Sequence, residues 1–268
     1  VTTDDAVFLA EASRASNTLS VAIDANNDDT SGINLAENKG LRLTEGSKET
    51  DSITIASLNS QPVHDVNISD FEILRNEVTV AQYKLCVDAG ICSAPKEGEA
   101  DLNWGRVDRE QFPMNGVSWN QARQFAFWVG SDLPTEAQWE YAATSQGNDQ
   151  RYPWGNEIPD CTRTHNFTCA GAMTSTVCSH PTGNSIQGVC DLAGNVWEWV
   201  LDNYHSDYRD APVDGSAWCA LAACADDNQP RVWKGGDYLS NVERMRSSAR
   251  GYYGPSVQPP WMGFRLAR

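Results

Sequence analysis

Eight cysteines constrain this chain more than any other feature. They fall in close-spaced pairs along the sequence: Cys86 with Cys92, Cys161 with Cys169, Cys178 with Cys190, and Cys219 with Cys224. An even number in such groups reads as a disulfide framework. Nearest-neighbour pairing is then one of many connectivities that the count allows. Zinc is the competing use of these residues. The chain has no CxxC spacing, and His64, His165, His180 and His205 are scattered, which disfavours zinc. Disulfides need an oxidising compartment, so a secreted protein, extracellular or periplasmic, is expected.

A length of 268 residues suits one large domain or two small ones, and ten tryptophans can supply a sizeable core. No apolar run is long enough to cross a membrane as a helix, so no membrane span is expected. The net charge of −16 opposes binding to nucleic acid or to anionic lipid and is compatible with bound cations. The first residues, Val1-Thr2-Thr3-Asp4-Asp5, lack a basic leader and read as a processed end. Asn67-Ile68-Ser69 and Asn166-Phe167-Thr168 are glycosylation sequons.

Residues 1–60 differ in texture and hold no Cys, Trp, Tyr or Pro. They read as an N-terminal extension that could dock or assemble, followed by a domain over 61–268. A short helix is expected over 6–15 and strands near Leu19–Ile23, Leu41–Leu43 and Ser52–Leu58. Asp24-Ala25-Asn26-Asn27-Asp28-Asp29-Thr30 spaces oxygen side chains as a calcium loop does. Asp29 stands where that loop needs glycine and Leu35 where it needs glutamate, so a polar turn is expected.

Beyond Pro62, the alternation of Val63–Ile73 predicts a strand pair. Thr79 caps a helix over Val80–Asp88, stopped by Ala89-Gly90. Ser118 caps a second over Trp119–Val129, and Thr135 with Gln138 forms a capping box opening a third over Glu136–Ala143. Glu136 and Glu140 share one helix face and could serve as acid/base groups, or Glu136 simply sits in the first turn where the helix dipole favours it. Further strands are expected at Val196–Val200, Arg231–Trp233, Glu243–Arg250 and Met262–Leu266. The whole describes an α+β domain, rich in loops and disulfide-linked.

Within it, Asp191-Leu192-Ala193-Gly194-Asn195-Val196-Trp197-Glu198 is the densest stretch. Gly194-Asn195 carries turn chemistry, and the bulky residues after it are strand-formers. Two acids flank the bend. Such a bend can offer calcium an all-oxygen cage, or can simply be a tight turn into a core strand.

An ordered motif series resembles the formylglycine-generating enzyme family, the sulfatase-modifying factor domain. It runs Asn76–Tyr83, Pro113–Trp119, Leu133–Ala143, Tyr152–Asn156, Asp191–Trp199, Arg231–Gly236 and Gly263-Phe264-Arg265. The resemblance implies a C-type-lectin-like fold with low regular secondary structure, built on a twisted antiparallel sheet and two helices. It also implies calcium, held by Asp191, Gly194, Val196 and Glu198, with a second site at Asn166 and Phe167. The family's copper-binding cysteine pair belongs after the Gly235-Gly236 bend. Asp237–Arg250 contains no cysteine, so the soft ligand for Cu(I) is missing. Ser240, near Asp237, lacks the neighbouring histidine a hydrolase would need.

Tyr252, Tyr253 and Trp261 lie on a stiff Gly- and Pro-rich loop, and with Arg250 they read as a ligand-binding surface, or as rings that pack the domain's end with Arg246 and Arg250 paired to buried acids as framework. The resulting expectation is a secreted, non-catalytic, calcium-stabilised binding or assembly module. It would act as an adhesin, a surface recognition protein or a subunit of an extracellular structure. Its partner would be a protein or glycan ligand, or copies of itself through residues 1–60. The alternative is an uncharacterised enzyme of the superfamily acting on a peptide or small molecule.

Overall fold

A computed structural model describes residues 20–23, 60–62, 64–95, 101–169, 173–220, 224 and 228–268. The helix expected over 6–15, the strands over 41–43 and 52–58 and the polar turn over 24–30 lie outside them. Strand β1 (Ser20–Ile23) pairs antiparallel with β2 (Phe71–Leu74), in the register Ser20 to Leu74. On its other side β2 bonds to the chain end, through Glu72 N to Arg268 O and Leu74 N to Leu266 O.

Helices α1 (Val80–Asp88), α2 (Trp119–Trp128) and α3 (Glu136–Ala143) each begin at a complete capping box. Thr79 with Gln82, Ser118 with Gln121 and Thr135 with Gln138 satisfy one another's backbone and side chain. Each box fixes a helix start by closing two otherwise unpaired N–H groups. The resemblance implied two helices; the described residues hold three.

Strands β3 (Trp197–Asn203), β4 (Arg231–Lys234), β5 (Arg250–Tyr253) and β6 (Met262–Phe264) form one sheet in the order β5-β4-β3-β6. The β4 pairings are antiparallel, whereas β3 and β6 are parallel, so the sheet is mixed and not wholly antiparallel as the resemblance implied. Alternate residues face opposite sides. Val200 and Val232 point to a core with Trp139 and Tyr141 of α3. Trp197, Trp199, Met262 and Phe264 point to a second core with Tyr83, Trp119 and Phe125 of α1 and α2. The centre of the sheet is thus covered on both faces, and the polar residues of β3, Glu198, Asp202 and Asn203, are buried along with its apolar ones.

Two strand expectations fail in part. Val66 and Ile68 alternate inward, yet only Phe71–Leu74 of that stretch joins a ladder. Over 243–250, Met245, Ser247 and Ala249 are buried in alternation, but the backbone folds through local turns such as Arg244 N to Asn241 O and Ala249 N to Arg246 O. Alternating burial without a partner strand produces the same sequence pattern as a ladder.

All eight cysteines are paired with their nearest neighbours: Cys86–Cys92, Cys161–Cys169, Cys178–Cys190 and Cys219–Cys224. None of the helices is long and apolar enough to cross a membrane among the described residues.

Candidate functional site

The turn before β3 carries the left-handed backbone its sequence requires. Asp191, Gly194 and Asn195 have φ of 56°, 92° and 63°. A side chain at Gly194 would collide with Thr164 Oγ1 and the carbonyl of His165, so glycine is the residue that lets the turn seat against that loop. Asn195 locks the arrangement: its N–H donates to His165 O, its Nδ2 to Glu77 Oε1 at 2.9 Å, and its Oδ1 accepts from Ser175 N.

Three carboxylates converge behind this turn. Glu77, Asp191 and Glu198 are buried and close enough to perturb one another. Among the described residues one cation faces them. The Arg265 guanidinium spends all five N–H donors here: Nε and one terminal nitrogen on the two oxygens of Glu198, both at 2.6 Å, and the remainder on the carbonyls of Leu74, Arg75 and Cys190. Trp139 Nε1 adds a donor to Glu198 Oε2 at 2.8 Å. Cys178 N donates to Asp191 Oδ2 at 2.5 Å, so the Cys178–Cys190 disulfide is tied to the acid that directly follows it.

Glu198, expected as a calcium ligand, is therefore spent on Arg265 and Trp139. The carboxylate with an unspent oxygen is Glu77, which sequence reasoning missed. It is fully buried and its Oε2 has no hydrogen-bond partner. Burial, then the charges of Asp191 and Glu198, push its carboxyl well above the usual range; burial likewise raises Asp191. An unpaired buried carboxylate oxygen beside a second carboxylate calls for a proton or a cation. The donor types fit calcium: hard oxygens from Glu77 and Asp191, with the Gly194 and Val196 carbonyls on the same turn. Among the described residues no group of three His, Cys, Asp or Glu could hold a metal by side chains alone, so carbonyls would have to contribute. The signal available in sequence was an acid two residues before a helix cap, where surface exposure is the ordinary expectation.

Asn166, expected at a second calcium site, already engages its side-chain oxygen within its own turn. Asn166 is buried, and its Oδ1 already accepts from Thr168 N at 2.9 Å and Thr168 Oγ1 at 2.7 Å. Phe167 is exposed on the same tight turn, which the Cys161–Cys169 bridge closes.

A second ionic cluster lies between α3 and the sheet. Lys234 Nζ bonds Glu140 Oε2 at 2.6 Å and lies 3.6 Å from Glu136 Oε1. Arg250 pairs with Glu136 Oε2 at 2.8 Å and donates to His205 O. Burial opposes ionisation of Glu136, but Arg250 and Lys234 overcome it and hold the carboxyl below its usual range. Burial wins at Glu140 and at Asp202, each pushed up to about 7. Glu136 and Glu140 are thus buried framework, held by Lys234 and Arg250. Arg250 is likewise buried and braced on Glu136, which matches the framework reading of this residue and not the ligand-facing one.

The aromatic residues divide. Tyr252 is 50% exposed and stacks on Tyr204 with ring centres 4.0 Å apart; Arg250 backs Tyr204 from inside. Tyr253 is 37% exposed, near Trp233. Trp261 is half-buried against the α2 core, and its carbonyl accepts from Trp197 N. Tyr204, absent from the expected surface, belongs to it. After the Gly235-Gly236 bend, Ser240 Oγ donates to Asp237 Oδ1 at 2.5 Å and both side chains are buried, a closed pair with no thiol.

The family profile described as sulfatase-modifying factor enzyme 1-like domain matches residues 34–268. The formylglycine-generating enzyme of Thermomonospora curvata is 34% identical over 174 residues, covering 60% of this chain and 57% of that protein. The inactive C-alpha-formylglycine-generating enzyme 2 of Bos taurus is 36% identical over 138 residues, covering 48% of this chain and 46% of that protein. The chain thus spans about half the length of these relatives. The solved structure of PvdO from Pseudomonas aeruginosa superposes with a TM-score of 0.67 at 25% identity, covering 94% of this chain and 91% of that one. With its α+β, C-type-lectin-like architecture and its four disulfides, the chain belongs to the sulfatase-modifying factor enzyme 1-like family, that of the formylglycine-generating enzymes.

Proposed function

We propose that this domain is a secreted recognition or assembly module that keeps the formylglycine-generating-enzyme fold without its oxidase chemistry. One observation carries the reading: every cysteine is closed in a disulfide, and the segment after the Gly-Gly bend offers the buried Asp237–Ser240 pair where a copper-binding thiolate would be needed. Four disulfides support an extracellular or periplasmic location. Calcium is the proposed stabilising ion, held by Asp191 and Glu77 with main-chain oxygens of the 191–196 turn. Its chemistry there is structural: it supplies positive charge to carboxylates that Arg265 alone does not neutralise.

Ligand contact is assigned to Tyr252, Tyr253 and Tyr204, a pre-stacked and partly exposed surface of small entropic cost. The ligand would be a protein or glycan. The pairing of β1 with β2 supports the assembly version, because a strand from residues 1–60 completes an edge that a second copy could also fill. Metal analysis of the purified protein tests the reading. Calcium without copper or iron is expected, whereas stoichiometric copper or iron together with oxygen consumption would overturn it.

A further inference from the structure

The two sequons lie in opposite surroundings. Around the first, Val66 and Ile68 are buried in the α3-side core. The intervening Asn67 and the following Ser69 are both exposed. The backbone is held in place by Asn67 N donating to Val213 O at 2.8 Å. A two-residue alternation thus turns both chemistry-bearing residues of the sequon to solvent, on a segment whose inward neighbours fix it. Around the second, Asn166 is 1% exposed, its Oδ1 is taken by Thr168, and the adjoining His165 carbonyl holds Asn195. Nothing attached to the Asn166 amide could leave without opening the contact between that loop and the Asp191 turn.

We infer that Asn67 is an N-glycan acceptor of the folded protein and that Asn166 is not. The co-substrate is an oligosaccharide on a lipid pyrophosphate, supplied with its transferase by a secretory compartment. Asn67 Nδ2 forms a bond to the anomeric carbon as the bond from that carbon to the pyrophosphate oxygen breaks. The lipid pyrophosphate leaves with the electron pair, and the amide gives up one proton to solvent. No oxidant or reductant is needed. The inference rests on passage through such a compartment, which belongs to the proposed location.

The test directs the full chain into a glycosylating secretory host behind that host's own signal peptide, so the outcome does not depend on the native location. Intact mass is read before and after enzymatic N-glycan removal in heavy-oxygen water, and peptide mapping locates the Asn-to-Asp conversion. The expected result is one glycan, at Asn67, lost in Asn67→Gln and equally in Ser69→Ala, with secretion and melting temperature kept. A glycan mapped to Asn166 in folded protein, or secreted folded protein with Asn67 unmodified, would overturn it. Unmodified Asn67 would leave the recognition reading intact, since Asn67 is not among the aromatic contact residues.

Discussion

Arg265 closes on Glu198 through two hydrogen bonds of 2.6 Å, with both side chains fully buried, and so ties β6 to β3 at the point where the Asp191 turn enters the sheet. The same guanidinium reaches the backbone at Leu74, Arg75 and Cys190. Buried ion pairs are not large net stabilisers, but removing one partner strands the other. Arg265→Met should therefore destabilise the fold by about 3–5 kcal/mol, read by chemical denaturation. Arg265→Lys should recover only part of this, because an ammonium cannot reproduce the five-donor fork. A loss below about 1 kcal/mol would mean that the pair is not the knot described here.

Calcium addition should raise the melting temperature of the chelator-treated protein by roughly 5–10 °C at a hundred-fold excess over its dissociation constant. Glu77→Gln and Asp191→Asn should each abolish most of that gain, while Tyr252→Ala should leave it unchanged. Scanning fluorimetry with and without EDTA decides the matter. Equal melting temperatures in calcium and EDTA would remove calcium from the account.

Stability should fall as pH rises from about 4.5 to about 7. Glu140 keeps its proton up to about 7 in the folded state and releases it near the ordinary glutamate value when unfolded. Its contribution is thus complete below the unfolded value and lost as pH rises through the folded one, on the order of 3 kcal/mol. Asp202 acts in the same sense. Glu136, held below its usual range, acts oppositely and loses its contribution as pH falls under about 4.5. Glu140→Gln should flatten the decline between pH 5 and 7 in denaturation curves; an unchanged slope would place the titration elsewhere.

Thiol titration of the unreduced protein in denaturant should find no reactive thiols, since all eight cysteines are bridged. Replacing Cys178 and Cys190 together by Ser should cost about 2–4 kcal/mol and also reduce the calcium response, because Cys178 N is a donor to Asp191. Loss of stability with a full calcium response would separate the disulfide from the carboxylate turn.

Much of the fold was legible in the sequence. Helix starts were marked by the caps Thr79, Ser118 and Thr135, the last with its box partner Gln138 three residues on. The Gly194-Asn195 bend announced itself because few residues tolerate positive φ. The disulfides joined near neighbours, so spacing was a fair guide. The strand expected over 243–250 failed because alternating burial is only half of a strand; the other half is a neighbour in register.

The sequence by itself determined the local units: the caps, the tight turns, the β-forming runs and the absence of a thiol after the Gly-Gly bend. Only the tertiary structure decided which charges meet. Glu77 and Asp191 are over a hundred residues apart, as are Glu136 and Arg250, yet each pair shares a buried site. It withdrew Arg250 from the surface, spent Glu198 on Arg265, hid Asn166 and left Asn67 in solvent. Burial sets the energetic cost of a charge or an unpaired oxygen, and burial is a property of the packed chain that neighbours in sequence do not fix.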